Sequence, residues 1–208
     1  MSVQRGRAGS AARVRLRYVA LGDSYTIGTS VEQADRFPDQ LVVREPRLEL
    51  IADLGVDGFT TADLIRDELP ELPGLAPDFV TLLIGVNDVV QDIPAATYRA
   101  NVVEIFDVLL AAVAARRIVT VGIPDYTVTP AGADYGDPSV KRRAIIEANR
   151  TMARLSADRG VAFVDIFDLS SRAARDRSLV AADGLHPSGR QYGQWVERIA
   201  PVVAALLD

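Results

Sequence analysis

The chain has 208 residues, of which 49% are hydrophobic and 25% charged, with a formal net charge of −5. That balance excludes a disordered chain, and the length suits one α/β domain better than two. The acidic balance argues against nucleic acid as a partner, which asks for a basic face. The chain has no Cys, which excludes disulfides, a thiolate nucleophile and Cys-ligated metal.

Residues 1–16 hold Arg5, Arg7, Arg13 and Arg15. A secretory leader sets an apolar run of about 7–15 residues behind its basic part, and none precedes the first strand. The segment therefore reads as a flexible basic tail, residues 17–208 as a single domain, and the protein as cytoplasmic. No run approaches the ~18 apolar residues of a membrane span, so no membrane partner is expected.

From there the chain alternates short apolar runs with amphipathic ones. Strands are predicted over residues 18–21, 48–53, 79–84, 118–122 and 161–166, and helices over 37–44, 61–68, 95–116, 140–159 and 188–207. In the third helix Val102, Phe106, Leu109 and Val113 recur at spacings of 4, 3 and 4, which puts them on one face. Pro94 suits its first turn. In the last helix Trp195, Ile199, Val202 and Val203 form the inner face, and Trp195 reads as a core anchor. Strands separated by helices make β-α-β units with right-handed crossovers, hence a three-layer α/β/α domain on a five-stranded parallel sheet. The isolated apolar positions can all be assigned to the core, so no oligomeric state follows from the sequence.

Ligands of open α/β sheets bind beyond the carboxyl ends of the strands. Four turn-like stretches follow four of these strands: Gly22-Asp23-Ser24; Gly55-Val56-Asp57-Gly58-Phe59-Thr60-Thr61; Gly85-Val86-Asn87-Asp88; and Asp183-Gly184-Leu185-His186-Pro187. Ser24 stands where a nucleophile would stand. A serine hydroxyl needs an adjacent base, and His186 is the chain's one histidine. Asp183, three residues earlier, suits the Nδ1–H of that ring and leaves Nε2 for the Ser24 proton. Its plainer role would be to cap the last helix. Acyl transfer also needs donors for the developing oxyanion. The N–H groups of Ser24 and Gly58 and the amide of Asn87 are candidates, although Gly58 also reads as a turn glycine and Asn87 as a turn cap. Asp23 and Asp88 are expected to shape their loops by accepting nearby N–H groups, not to act as acid or base. No metal site, phosphate loop or cofactor motif is visible. Residues 124–138, the longest irregular stretch, follow the fourth strand on the same edge, and with residues 89–93 they are expected to set the pocket.

These four blocks, in this order, resemble the SGNH hydrolase (GDSL esterase/lipase) family, named for a Ser, a Gly, an Asn and a His in separate blocks. Ser24, Gly58, Asn87 and His186 match them across the whole domain. The resemblance implies a flavodoxin-like sheet of strand order 2-1-3-4-5, carboxylic ester hydrolysis through a Ser-His-Asp triad, and no cofactor. Its substrate would be a small-molecule ester, with short acyl or acetyl groups favoured because no long apolar lid is visible. A carbohydrate deacetylase, thioesterase or acyltransferase would use the same triad, and a ligand-binding domain without turnover is the rival of another class. Two departures stand out: Tyr25 replaces the Leu of Gly-Asp-Ser-Leu, and Asp53 stands where an Asn is common.

Overall fold

Tyr18, Val19, Ala20 and Leu21 have no exposed surface, as a strand covered on both faces requires. In the computed structural model, which describes residues 15–208, they lie in β1 (Leu16–Gly22). The tail expected over residues 1–16 lies outside the described residues apart from Arg15 and Leu16, and Leu16 already belongs to β1. The short helix α1 (Ser24–Ile27) follows, then α2 (Phe37–Arg44) and β2 (Leu48–Asp53). An irregular helical run begins with α3 (Thr61–Asp63) and ends with α4 (Leu72–Leu75). After it come β3 (Phe79–Leu83), α5 (Val86–Val90), α6 (Ala95–Ala112) and β4 (Ile118–Val121). The last elements are α7 (Pro138–Ala157), β5 (Ala162–Val164), α8 (Phe167–Ser170) and α9 (Gly189–Leu207).

The strands form one parallel sheet in the order β2-β1-β3-β4-β5, with helices on its faces. β1 lies between β2 and β3 and pairs with both, so the turn that ends it projects from the interior of the sheet.

Four helices differ from the sequence expectation. The helix predicted over 61–68 keeps α winding only to Asp63; Leu64–Glu68 is a π turn in which the Leu69 N–H reaches the Leu64 carbonyl. Pro70 explains this, because it has no N–H and its ring crowds the carbonyl four residues earlier, that of Arg66. A 3₁₀ turn, Leu69–Glu71, carries the chain into α4. The helix predicted over 95–116 stops at Ala112, where Val113 turns extended. The one predicted from 140 starts at Pro138, suited to a first helical position, and Asp137 caps it by accepting from the N–H groups of Ser139 and Val140. The last helix is capped by Ser188, which accepts from the Gln191 N–H at 3.3 Å, so Asp183 is not its cap.

Trp195 is fully buried. Its ring meets Tyr192 edge-on at 4.9 Å and lies 6.5 Å from the ring of Tyr25. The same packing that joins α9 to the core therefore supports the residue next to Ser24. Among the described residues no helix is long and apolar enough to cross a membrane.

Trp195→Ala is expected to lower stability by about 3–5 kcal/mol, the usual cost of emptying so large a core site, seen as a lower urea midpoint. Val43→Ala, at a position 77% exposed in α2, should stay within about 0.5 kcal/mol.

Candidate active site

All four turn stretches gather at the carboxyl edge of the sheet. Ser24 opens α1, and Asp23 caps that helix by accepting from the Tyr25 N–H at 3.0 Å. The turn is tight: a Cβ on Gly22 would lie 2.1 Å from the Leu83 carbonyl oxygen and 2.3 Å from Thr26 Oγ1. Only glycine fits there. Ser24 is left 7% exposed, with its hydroxyl at the wall of a cavity of about 190 Å³.

His186 Nε2 lies 3.0 Å from Ser24 Oγ, and Nδ1 lies 2.6 Å from Asp183 Oδ2. With the proton on Nδ1 the ring donates to Asp183 and turns a lone pair toward Ser24. Asp183 is held from several sides. Its Oδ1 accepts from the N–H groups of Leu185 (2.9 Å) and His186 (3.0 Å), and its Oδ2 also accepts from Ser30 Oγ at 2.7 Å. Burial alone would push this carboxyl up; the Leu185 N–H, the His186 ring, Ser30 and the His186 N–H outweigh it and hold it down at about 2. Gly184, with φ +75°, makes the sharp turn between Asp183 and His186 possible. The Tyr25 ring sits 5.2 Å from the imidazole.

Gly58 has φ +81°, and a Cβ there would meet no protein atom within 4 Å; the space in front of it belongs to the cavity. Among the described residues the N–H groups of Ser24 and Gly58 donate to no protein group. Asn87 donates through Nδ2 to the Phe59 carbonyl at 2.9 Å. It therefore ties the third block to the second and does not cap its own turn, and its other amide proton remains for a ligand. Ser24, Gly58, Asn87 and His186 all line the cavity, with Asp183 behind His186.

Asp88 differs from the expectation of a local loop contact. Its carboxylate accepts from the N–H (2.9 Å) and Oγ1 (2.5 Å) of Thr61, 27 residues away, and so fastens α5 to the start of α3. Asp53 accepts from the Gly55 N–H at 3.1 Å and faces the Arg36 guanidinium at 3.4 Å; burial pushes it up to about 7.

The stretch 124–138 is more regular than expected. It contains two 3₁₀ turns, Tyr126–Val128 and Gly132–Tyr135. It is anchored by Asp125, which is 1% exposed and accepts from Thr127 Oγ1, Ser171 Oγ and Arg142 Nε at 2.6–3.0 Å. Tyr126 and Tyr135 bring their rings to the cavity, 6.1 Å apart and nearly perpendicular. Of residues 89–93 only Val90 reaches this cavity; Val89, Asp92 and Ile93 line a separate hollow of about 430 Å³ on the other side of α5.

The sequence reading missed Ser30, Tyr25, Asp57 and Glu68. Ser30 holds Asp183 from a position with φ +68°, for which no local pattern gives a signal. Asp57 stands at the cavity rim with one oxygen taken by Thr29. Glu68, 2% exposed, accepts from the Gly22 N–H. Among the described residues no cluster of His, Cys, Asp or Glu is placed to hold a metal ion.

A parallel five-stranded α/β/α domain with a Ser-His-Asp chain at its carboxyl edge is the architecture of the SGNH hydrolases. The sequence matches the model of the GDSL-like lipase/acylhydrolase family over residues 20–193, and the chain belongs to that family of ester-bond hydrolases. Solved structures share the fold at low identity. A lipolytic protein of the G-D-S-L family from Veillonella parvula superposes with a TM-score of 0.73 at 16% identity, over 90% of this chain and 98% of that one. An acetyl xylan esterase from Geobacillus stearothermophilus gives 0.70 at 17%, over 92% and 97%. The esterase EstA from a Pseudoalteromonas species gives 0.67 at 17%, over 92% and 98%. No curated protein matches the sequence.

The depressed Asp183 has a signed consequence for stability. A carboxyl lowered from 3.8 to about 2 stabilises the fold above its ordinary range, and this contribution is lost as pH falls through that range toward 2. The gap in urea midpoint between wild type and Asp183→Asn should accordingly be wide at pH 6 and narrower at pH 3; a gap that stays constant would contradict the assignment.

Proposed function

We propose that the protein is a serine esterase in which Ser24, His186 and Asp183 act as a triad. The observation that carries this reading is the unbroken chain from Ser24 Oγ to His186 Nε2 (3.0 Å) and from Nδ1 to Asp183 (2.6 Å). Ser24 Oγ attacks the ester carbonyl as Nε2 takes its proton, and Asp183 stabilises the imidazolium. The oxyanion is received by the N–H groups of Ser24 and Gly58 and by the Asn87 amide, donors fixed before the charge develops. His186 returns its proton to the leaving alcohol, then activates the water that releases the acyl group from Ser24.

The cavity supports short acyl groups. Its volume of about 190 Å³ lies below the ~300–1,000 Å³ typical of drug-sized ligands. Val86, Val90, Leu185, Tyr126 and Tyr135 supply an apolar wall suited to an acetyl or short alkyl chain. An acetylated carbohydrate is the second reading. Asp57 at the rim offers an acceptor to a hydroxyl-rich alcohol, and the same fold carries an acetyl xylan esterase.

The test is hydrolysis of p-nitrophenyl esters of increasing chain length by wild type and Ser24→Ala. Wild type should favour acetate to butyrate; Ser24→Ala should be inactive. The fold relative from Pseudoalteromonas is inhibited by monoethylphosphonate, and a phosphonate of that kind should label Ser24 here. An active Ser24→Ala variant would overturn the proposal. Asn87→Ala should lower kcat by about 10²–10³, the usual effect of removing one oxyanion donor, and near-normal turnover would remove Asn87 from the oxyanion site.

A further inference from the structure

β2 pairs with β1 only as far as Ala20 opposite Asp53. Two residues further along β1, the Gly22 carbonyl is taken by the Val56 N–H at 3.3 Å. The Gly22 N–H goes instead to a side chain: Glu68 Oε2 accepts it at 3.0 Å. A buried N–H needs such a partner, and this one lies two residues before Ser24. Glu68 arrives there from the π turn Leu64–Glu68, a winding found disproportionately at functional sites.

The surroundings of Glu68 are unusual for a carboxylate. It is 2% exposed, and among the described residues no cation bonds to it and its Oε1 has no partner. Asp23, fully buried, likewise keeps Oδ2 unpartnered. The groups that face Glu68 are Asp23, Asp53 and Asp67; those that face Asp23 are Asp88 and Asp57. The Arg36 guanidinium lies against Asp39 and Asp53. Two carboxylates buried this way without a counter-ion would be very costly if both were charged.

We propose that Glu68 is a positioning residue for the esterase reaction: its buried carboxyl accepts from the Gly22 amide and so fixes the turn that presents Ser24. The inference rests on the reading of Ser24 as nucleophile. Burial, with Asp23 and Asp53 adding to it, pushes Glu68 up to about 9, and burial pushes Asp23 up to about 8, so both acids are mainly neutral at pH 7. When they ionise, like charges face each other beneath the nucleophile turn. The turn then loosens, and the reaction loses rate on the alkaline side.

The test compares wild type, Glu68→Ala and Glu68→Gln on p-nitrophenyl acetate, with phosphonate labelling of Ser24 in each. Glu68→Ala removes the acceptor and should lower kcat about tenfold or more with KM within about twofold, the pattern of a lost transition-state geometry. Glu68→Gln restores an acceptor oxygen without a titrating group. It should recover most of that loss at pH 7, and the alkaline fall in kcat should shrink, because without a titrating group at this position the buried charge pair no longer forms. If Glu68→Ala matches wild type in kcat, or Glu68→Gln is no better than Glu68→Ala, the proposal is overturned. Where Glu68→Ala does not fold, Glu68→Gln decides alone: an alkaline limb identical to wild type overturns it. Labelling of wild-type Ser24 keeps the two readings apart. Without labelling the esterase reading fails; with labelling and unaffected Glu68 variants, only this inference does.

Discussion

The last residue of β1 leaves no room for a side chain, and the rest of the site depends on that. Gly22 packs so closely on the Leu83 carbonyl and on Thr26 that the chain turns from strand to helix within two residues. Ser24 is thereby delivered at the first position of α1. A longer connection would let the serine wander by several ångströms. His186 is anchored independently, on a turn pinned by Gly184 and by four hydrogen bonds to Asp183. The contact of 3.0 Å between them therefore requires both turns to be stiff.

Between these fixed points the site is assembled by side chains that cross from one block to another. Asn87 reaches the Phe59 carbonyl, Asp88 holds Thr61, and Ser30 holds Asp183. Each bond joins two loops that leave different strands. A parallel sheet sets its strand ends side by side but does not dictate how the loops beyond them lean. The cross-links supply that information. They tie the turns after the strands to one another.

Much of this was legible in the sequence. Short apolar runs marked the strands, because a sheet covered on both faces favours them. The family blocks located Ser24, Gly58, Asn87, Asp183 and His186, and the structure draws all of them to one edge. The misses have a common cause. Whether Asp88 serves its own loop or one 27 residues away is settled by tertiary placement, which spacing does not encode. No local pattern singles out Ser30. Glu68 ends the helix expected over 61–68, and the structure buries it at the end of a π turn. Pro70 was itself a readable signal, since a proline there forbids regular α winding.

The separation of Ser24 and His186 by 162 residues has a consequence for how the molecule acquires its activity. The sheet grows outward from β1, and the loop bearing His186 follows β5, the last strand in the chain and at the edge of the sheet. Pairings of such high sequence separation form late and slowly, because loop closure costs entropy before any contact repays it. Ser24 and His186 meet only when the final crossover has docked.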